Sequence, residues 1–394
     1  MIATNSLEWG RSKSCIRELA AYGAARKAEI GADKVFDFSI GNPSVPAPPA
    51  LDAALRALLE TEDSTVLHSY TPAAGLPSLR RAIADDLRTR LGAPVTAEGI
   101  YVCCGAAAGL AACCRGLIRP GEEAVAFAPF FPEYRVFAEG AGGVLKTVPP
   151  DERLRPDWEA FARSLGEKTA LVILNSPNNP SGVVLGEDDL TRLAAILADA
   201  QRRVGHPIYL VSDEPYRELV YDGALPPCPL RFYDNAVLCY SFSKSLSLPG
   251  ERLGYLAVSE RMEEKEAVFA ALAGAARASG YVNAPSLMQR AVERCLGLTA
   301  DLGVYRVNRE LLYRALCEAG FSCVYPDGAF YLFMKSPEPD AKAFSERAKR
   351  YELLLVPSDD FGLTGYVRLA TCVSTDMIRR SLPAFRALAE SYGL

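Results

Sequence analysis

A single lysine stands among hydroxyls in Ser241-Phe-Ser-Lys-Ser-Leu-Ser-Leu-Pro-Gly-Glu-Arg-Leu-Gly-Tyr255, with an arginine eight residues beyond it. The apolar run Ala236–Tyr240 reads as a buried strand, so Lys244 follows a strand end, where an α/β sheet offers side chains to a ligand. An amine there that sheds its proton through burial beside another cation can condense with an aldehyde. Ser241, Ser243 and Arg252 would surround a phosphate, the guanidinium making a two-pronged contact that a lysine could not. Pro249-Gly250 supplies the turn that brings Arg252 back. Taken alone, the window also fits an ordinary polar loop, so the other strand ends decide.

Those ends carry matching chemistry. The strand Thr169–Leu174 runs into Asn175-Ser-Pro-Asn-Asn-Pro-Ser-Gly182 and then a helix from about 187 to 200, a parallel crossover. The amides of Asn175, Asn178 and Asn179 are expected to donate to an anionic oxygen. Pro207–Ser212 delivers Asp213-Glu-Pro-Tyr216: a carboxylate that can hold a protonated ring nitrogen and a phenol that can reach a ring hydroxyl. After Gly99–Cys103, the stretch Gly105-Ala-Ala-Ala-Gly109 opens a helix whose free amides and positive dipole end suit an anion. Pro129-Phe-Phe-Pro-Glu-Tyr134 forms a rigid aromatic wall in which Phe131 could stack on a planar ring. Gly41 ends a short strand and lets the backbone approach a ligand, and Tyr70 lies in a loop.

Seven strands are expected between Gly99 and Ser259, adding Ala124–Ala128, Gly143–Val148 and Gly254–Ser259 to those above, with helices between them. That alternation predicts an α/β fold with a mostly parallel seven-stranded sheet covered on both faces. Ahead of it come a helix over 14–30, a strand over Val35–Ile40 and a Pro-rich break at Pro46–Pro49; Pro77 suits the first turn of a later helix. Helical patterns over 262–295 lead to a C-terminal block with strands near Phe330–Phe333 and Tyr366–Leu369. The expected organisation is a large domain over 49–290 and a smaller α+β domain made from 1–48 and 291–394.

Composition narrows the function. In 394 residues, 49% are hydrophobic and 23% charged, as in a soluble globular protein, and a net charge of −5 without a long basic run argues against a nucleic-acid surface. No apolar run is long enough to span a bilayer and the first ten residues lack a basic start before an apolar core, so the expected location is cytoplasmic. The eleven cysteines show no Cys-x-x-Cys spacing and only His68 and His206 accompany them, so no metal site is expected and the thiols read as reduced core residues.

Asn179, Asp213, Tyr216, Lys244 and Arg252 following successive strands resemble the fold-type I pyridoxal-phosphate enzymes, specifically the class I/II aminotransferase family that includes aspartate aminotransferase. The likeness runs almost end to end. Asn179–Gly182 matches the family's Asn-Pro-[Ser/Thr]-Gly, Asp213–Tyr216 its Asp-x-x-Tyr, and Ser241–Arg252 its Ser-x-Ser-Lys with the downstream arginine. The resemblance implies pyridoxal 5′-phosphate as cofactor. Lys244 would then bond the cofactor and shuttle the Cα proton, Asp213 hold the ring nitrogen, and Asn179 and Tyr216 meet the ring oxygen. Gly105, Ala106 and Ala107 fall on the phosphate turn, Phe131 on the stacking aromatic, and Tyr70 on a tyrosine supplied by the partner subunit of a homodimer. Arg368, in Gly365-Tyr-Val-Arg-Leu369, falls on the arginine that clamps the substrate carboxylate, with the Gly41 backbone beside it. Ala106 replaces a hydroxyl residue frequent in the family, and Phe131 stands where Tyr or Trp is common.

The implied activity is transfer of an amino group between an L-amino acid and a 2-oxo acid. Cβ–S elimination or decarboxylation on the same scaffold is the alternative, because each begins by weakening a Cα bond. A cofactor-sensing regulator would need a DNA-binding arm, which a short non-basic N-terminal segment does not provide.

Overall fold

In the computed structural model, residues 4–11 and 14–394 are described; the start of the expected N-terminal segment, 1–3, and positions 12–13 lie outside them. Ser14 caps the helix Cys15–Ile30 by accepting from the Arg17 amide, as its position before the periodic run predicts. Strand β1 is only Phe36–Asp37, paired in parallel with β11 (Leu353–Leu354), and is shorter than the Val35–Ile40 expected. The reason lies in Asp37, whose carboxylate accepts from both the Ser39 amide (3.1 Å) and its hydroxyl (2.6 Å) and turns the chain. Phe38 then bridges outward, its amide bonding Leu354 and its carbonyl receiving Ala370.

The large sheet comprises β2 (Ile100–Cys103), β3 (Glu123–Phe127), β4 (Val144–Val148), β5 (Thr169–Asn175), β6 (Tyr209–Asp213), β7 (Ala236–Ser241) and β8 (Gly254–Val258), in spatial order β2-β8-β7-β6-β5-β3-β4. All neighbours are parallel except β8, which runs antiparallel to both β2 and β7. The seven-stranded, mostly parallel α/β architecture is as expected. Alternate residues divide between two cores: Val125, Val172, Leu210 and Leu238 face one way, Ala124, Ile173, Val211 and Val237 the other. Burial on both faces explains why these strands read as continuous apolar runs.

The helices Ala106–Leu117 and Lys265–Ala278 pack together on one face. Helix Pro49–Thr61, which the Pro-rich break obscured, covers the other; Leu51, Ala54 and Leu58 give its buried stripe, and Pro49 occupies its first turn. A second, four-stranded antiparallel sheet has the order β12 (Val356–Pro357), β13 (Tyr366–Ala370), β10 (Tyr331–Lys335), β9 (Cys323–Val324), with its own core around Phe38, Leu332, Phe344, Leu369 and Phe385. Of the eleven free cysteines, seven are buried, but Cys317 is exposed and Cys15, Cys104 and Cys323 are half-buried, so not all serve the core as expected.

Candidate active site

The carboxyl ends of β5, β6 and β7 deliver Asn175, Asp213 and Ser241 to one cleft, where strands of this architecture present ligand-binding groups. The cavity holds about 280 Å³, and the candidate site residues from the sequence line it except Gly105, Tyr70 and Asn178. Gly105 lies just behind the lining, and Tyr70 projects into solvent, 94% exposed on the single chain.

Past β7 a single helical turn, Phe242–Ser245, lifts Lys244 into the cleft, where its Nζ donates to the Gly41 carbonyl (2.8 Å) and sits 5.4 Å from the Phe330 ring centre. Burial, with the guanidinium groups of Arg368 and Arg252 adding to it, brings the ammonium down from 10.5 to about 8, although Cys372 pulls the other way. Asp213 lines the same space. Its Oδ2 accepts from the Tyr134 hydroxyl at 2.5 Å, and its buried Oδ1 has no partner among the described residues. Burial pushes this carboxyl up to about 7, against the lowering effect of the Tyr134 bond. A cation arriving at Oδ1 would satisfy the orphan oxygen and favour ionisation.

The asparagine loop divides its amides differently from the expectation. Asn175 donates to the Asp213 carbonyl (2.8 Å) and accepts from the Asn179 amide, while Asn178 donates to the Pro129 carbonyl and accepts from Ser181. Their oxygens satisfy amides of their own turn and their nitrogens satisfy carbonyls of neighbouring segments, because buried peptide groups must find partners. Only Asn179 remains to meet a ligand; its Oδ1 accepts from Arg368 Nη1 at 3.2 Å, which aims its amide nitrogen away from the arginine.

The anion end is built from backbone as much as from charge. Gly105, at φ 80°, precedes the helix Ala106–Leu117, and a Cβ there would come within 2.9 Å of Arg252 Nη2. Glycine therefore lets the guanidinium lie against the helix start, where unpaired amides point out. Arg252 itself is anchored to the Pro249 carbonyl (2.8 Å). The Ser241 and Ser243 hydroxyls lie 2.8 Å apart, and the buried thiols of Cys103 and Cys239 contact the Gly105 and Ala106 carbonyls from behind, each at 3.4 Å. Ala106 can offer only its amide, and Phe131 lines the cleft with an edge-on contact to Tyr134.

Arg368 enters from β13, 2% exposed, donating to the Ser39 carbonyl (2.7 Å) and Asn179, while its Nε has no partner among the described residues. Its guanidinium is sandwiched between the rings of Tyr331 (4.5 Å) and Phe361 (5.2 Å). Sequence reasoning passed over Tyr134, Tyr331, Phe361, Ser39 and Ile16, which lies at the cleft wall. Tyr134 was within reach as the last aromatic of the Pro129–Tyr134 wall; Tyr331 and Ser39 act through tertiary contacts that no local pattern marks. Among the described residues, no group of three or more His, Cys, Asp or Glu is arranged to hold a metal ion.

The donor set suits an aldehyde-bearing, phosphorylated, nitrogen-containing ring: a partly neutral amine, a partnerless buried carboxylate oxygen, and a helix start beside an arginine. Comparison with known proteins agrees with this geometry. The model of the family "Aminotransferase class I and II" matches residues 33–385. A probable aspartate/prephenate aminotransferase of Thermus aquaticus is 30% identical over 345 residues, 85% of this chain and 86% of that protein. A probable aspartate aminotransferase of Methanocaldococcus jannaschii is 30% identical over 366 residues, 90% of this chain and 93% of its own. Among solved structures, an amino transferase from Eubacterium rectale superposes with a TM-score of 0.97 at 44% identity, covering 100% of both chains. Aspartate aminotransferase from Thermus thermophilus with maleate gives 0.87 at 26% identity, covering 98% of this chain and 99% of the other.

Proposed function

Because the chain belongs to the class I and II aminotransferase family, we propose that its cleft binds pyridoxal 5′-phosphate with Lys244 as the covalent anchor, and that it works as a homodimer. The chain is an aminotransferase, moving an amino group between an L-amino acid and a 2-oxo acid. The relatives named above are aminotransferases by name, which favours transfer over elimination or decarboxylation.

When bound, pyridoxal phosphate supplies an electron sink for the bond broken at the substrate Cα. The chain's own residues do the rest. Lys244, with its pKa brought down to about 8, is a base strong enough to take the Cα proton near neutral pH and weak enough to return it. Asp213 Oδ1 would accept a hydrogen bond from the ring nitrogen and keep it protonated, while Tyr134 keeps Oδ2 occupied. Asn179 and Tyr216 would hydrogen-bond the ring oxygen, and Phe131 would pack on the ring. Arg252, Ser241, Ser243 and the amides of Ala106 and Ala107 at the Gly105 turn receive the phosphate. Arg368 grips the substrate's α-carboxylate beside the Gly41 peptide, its orientation held by Ser39 and two aromatic faces before any substrate arrives.

Tyr70 would complete the phosphate site of a second copy, which accords with its full exposure here. Residues 49–290 form the cofactor domain, and 1–48 with 291–394 the smaller one; the cores on the two faces of the large sheet and the core around Phe38 and Leu332 support this division, while a cluster of Tyr216, Leu219, Tyr305, Phe330 and Tyr331 joins the two. The helix Ser286–Glu293 straddles that boundary and packs on helices Pro49–Thr61 and Pro77–Leu91, so its last turn goes with the cofactor domain. No described helix is long and apolar enough to cross a membrane, and eleven free thiols suit a reducing compartment, for which we propose the cytoplasm.

The observation that carries this reading is the pairing, in one cleft, of a proton-shedding Lys244 with a partnerless Asp213 oxygen. Lys244→Ala should abolish both transamination and the visible absorbance of covalently held cofactor while the protein stays folded. A variant turning over at the wild-type rate would sink it.

A further inference from the structure

Tyr331 belongs to β10, which pairs antiparallel with β13, and it lines the cleft. It is 3% exposed. Its hydroxyl is 3.1 Å from the Tyr216 hydroxyl, the two rings standing edge-on at 5.8 Å, and its face covers the Arg368 guanidinium at 4.5 Å. The third neighbour is Gly41, where any Cβ would run into the Tyr331 hydroxyl. One side chain thus touches the phenol that faces the cofactor, the arginine that faces the substrate, and the peptide whose carbonyl holds Lys244.

We propose that Tyr331 is a positioning residue that joins the carboxylate clamp to the cofactor-facing phenol: its hydroxyl donates to Tyr216 while its ring sets the plane of Arg368. The direction of the bond follows from supply. Each phenol has one proton, and no other acceptor for the Tyr331 hydroxyl is found among the described residues. If Tyr331 donates, the Tyr216 proton stays free to enter the cleft; the reverse would use it up. Receiving a hydrogen bond also makes Tyr216 a stronger donor, since chains of hydroxyls polarise one another. The charged and titratable groups around the pair are Arg368 from β13, Asp213 from β6, Lys244 after β7, and Cys372 beyond β13. None of them can replace the Tyr331 proton on the Tyr216 oxygen without moving.

The inference rests on the reading above that Tyr216 meets the ring oxygen and Arg368 the carboxylate. A donor on that oxygen draws negative charge from the neighbouring lysine–cofactor nitrogen, so this nitrogen gives up its proton at lower pH. Weakening the donor raises the pH midpoint at which the holoenzyme's visible absorbance changes.

Two substitutions separate the hydroxyl from the ring. Tyr331→Phe keeps the stack on Arg368 and loses the proton; the midpoint should rise by about half a pH unit while KM for two unlike amino donors stays within about twofold. Tyr331→Leu loses both, so the same rise should come with a KM increase of about tenfold for both donors, as expected for losing a desolvated cation–π contact. Tyr216→Phe serves as reference and should raise the midpoint further. If Tyr331→Phe leaves the midpoint at the wild-type value, or lowers only the melting temperature, while Tyr216→Phe moves it, the inference is wrong and the parent reading survives. If Tyr216→Phe also leaves it unmoved, the assignment of Tyr216 fails and the inference falls with it.

Discussion

At the scale of single residues, burial in the cleft moves Lys244 and Asp213 towards their neutral forms. Lys244 is the clearer case. In cofactor-free protein its pKa falls from 10.5 to about 8, so between those values the unfolded chain binds the proton that the folded chain has released. Stability therefore rises with pH across that window, and below about pH 8 the buried amine costs up to about 3 kcal/mol. Lys244→Met should raise the melting temperature of the cofactor-free protein at pH 7, and the gain should vanish towards pH 10.5; a gain independent of pH would contradict the assigned cause. Tyr134→Phe removes the bond to Asp213 Oδ2 and leaves that carboxyl harder to ionise, so cofactor affinity should drop roughly tenfold or more by equilibrium dialysis. Arg252→Ala should weaken cofactor binding by about ten- to a hundredfold through loss of a charge-assisted contact, whereas Arg368→Ala should leave the cofactor bound and raise KM for every donor alike. Asp213 and Lys244 were readable because they end or directly follow strands β6 and β7, where side-chain chemistry stands apart from packing, whereas Arg368, inside β13, came from the resemblance and Tyr134 was passed over. Asn175 and Asn178 were misread for the converse reason: three asparagines in a turn look alike until the backbone groups needing partners are known.

At the scale of elements, the cleft depends on close approaches that only glycine permits. Gly105 sits at φ 80° with Arg252 packed where its Cβ would be, and Gly254, beside it on β8, faces the Gly105 backbone at 3.1 Å from its own virtual Cβ. Gly105→Ala should cost roughly 1–3 kcal/mol of strain, and by displacing Arg252 it should weaken pyridoxal phosphate more than pyridoxal lacking the phosphate. Equal losses for the two ligands would argue that the loop has no special tie to phosphate. The strands of the large sheet were legible because burial on both faces makes them uniformly apolar. The antiparallel sense of β8 was not, since a chain reversal through the Lys244 loop leaves no mark on hydrophobic pattern. Strand β1 shrank because Asp37 and Ser39 satisfy each other locally, a side-chain bond that outcompetes the ladder.

At the scale of the whole molecule, the open question is where Tyr70 acts. It stands exposed in a loop, outside the cavity its own chain encloses, yet it falls on a position expected to serve the phosphate. Twofold symmetry converts that into a sharp test, because an isologous dimer gives each site one Tyr70 from across the interface. Consider Lys244→Ala mixed with Tyr70→Ala, each impaired as a homodimer. In a hybrid, the site keeping Lys244 receives an intact Tyr70 from its partner, and the other site collects both defects. After unfolding and refolding an equal mixture, about half the dimers are hybrids with one complete site each, so activity should recover to about a quarter of wild type above the residual of the parents. Were Tyr70 to act within its own chain, every hybrid site would lack either the lysine or the tyrosine, and mixing would give only the average of the two parents. Size-exclusion of the mixture at assay concentration fixes whether dimers are present at all. A monomeric, fully active enzyme would remove the role for a second subunit and leave Tyr70 as a surface residue.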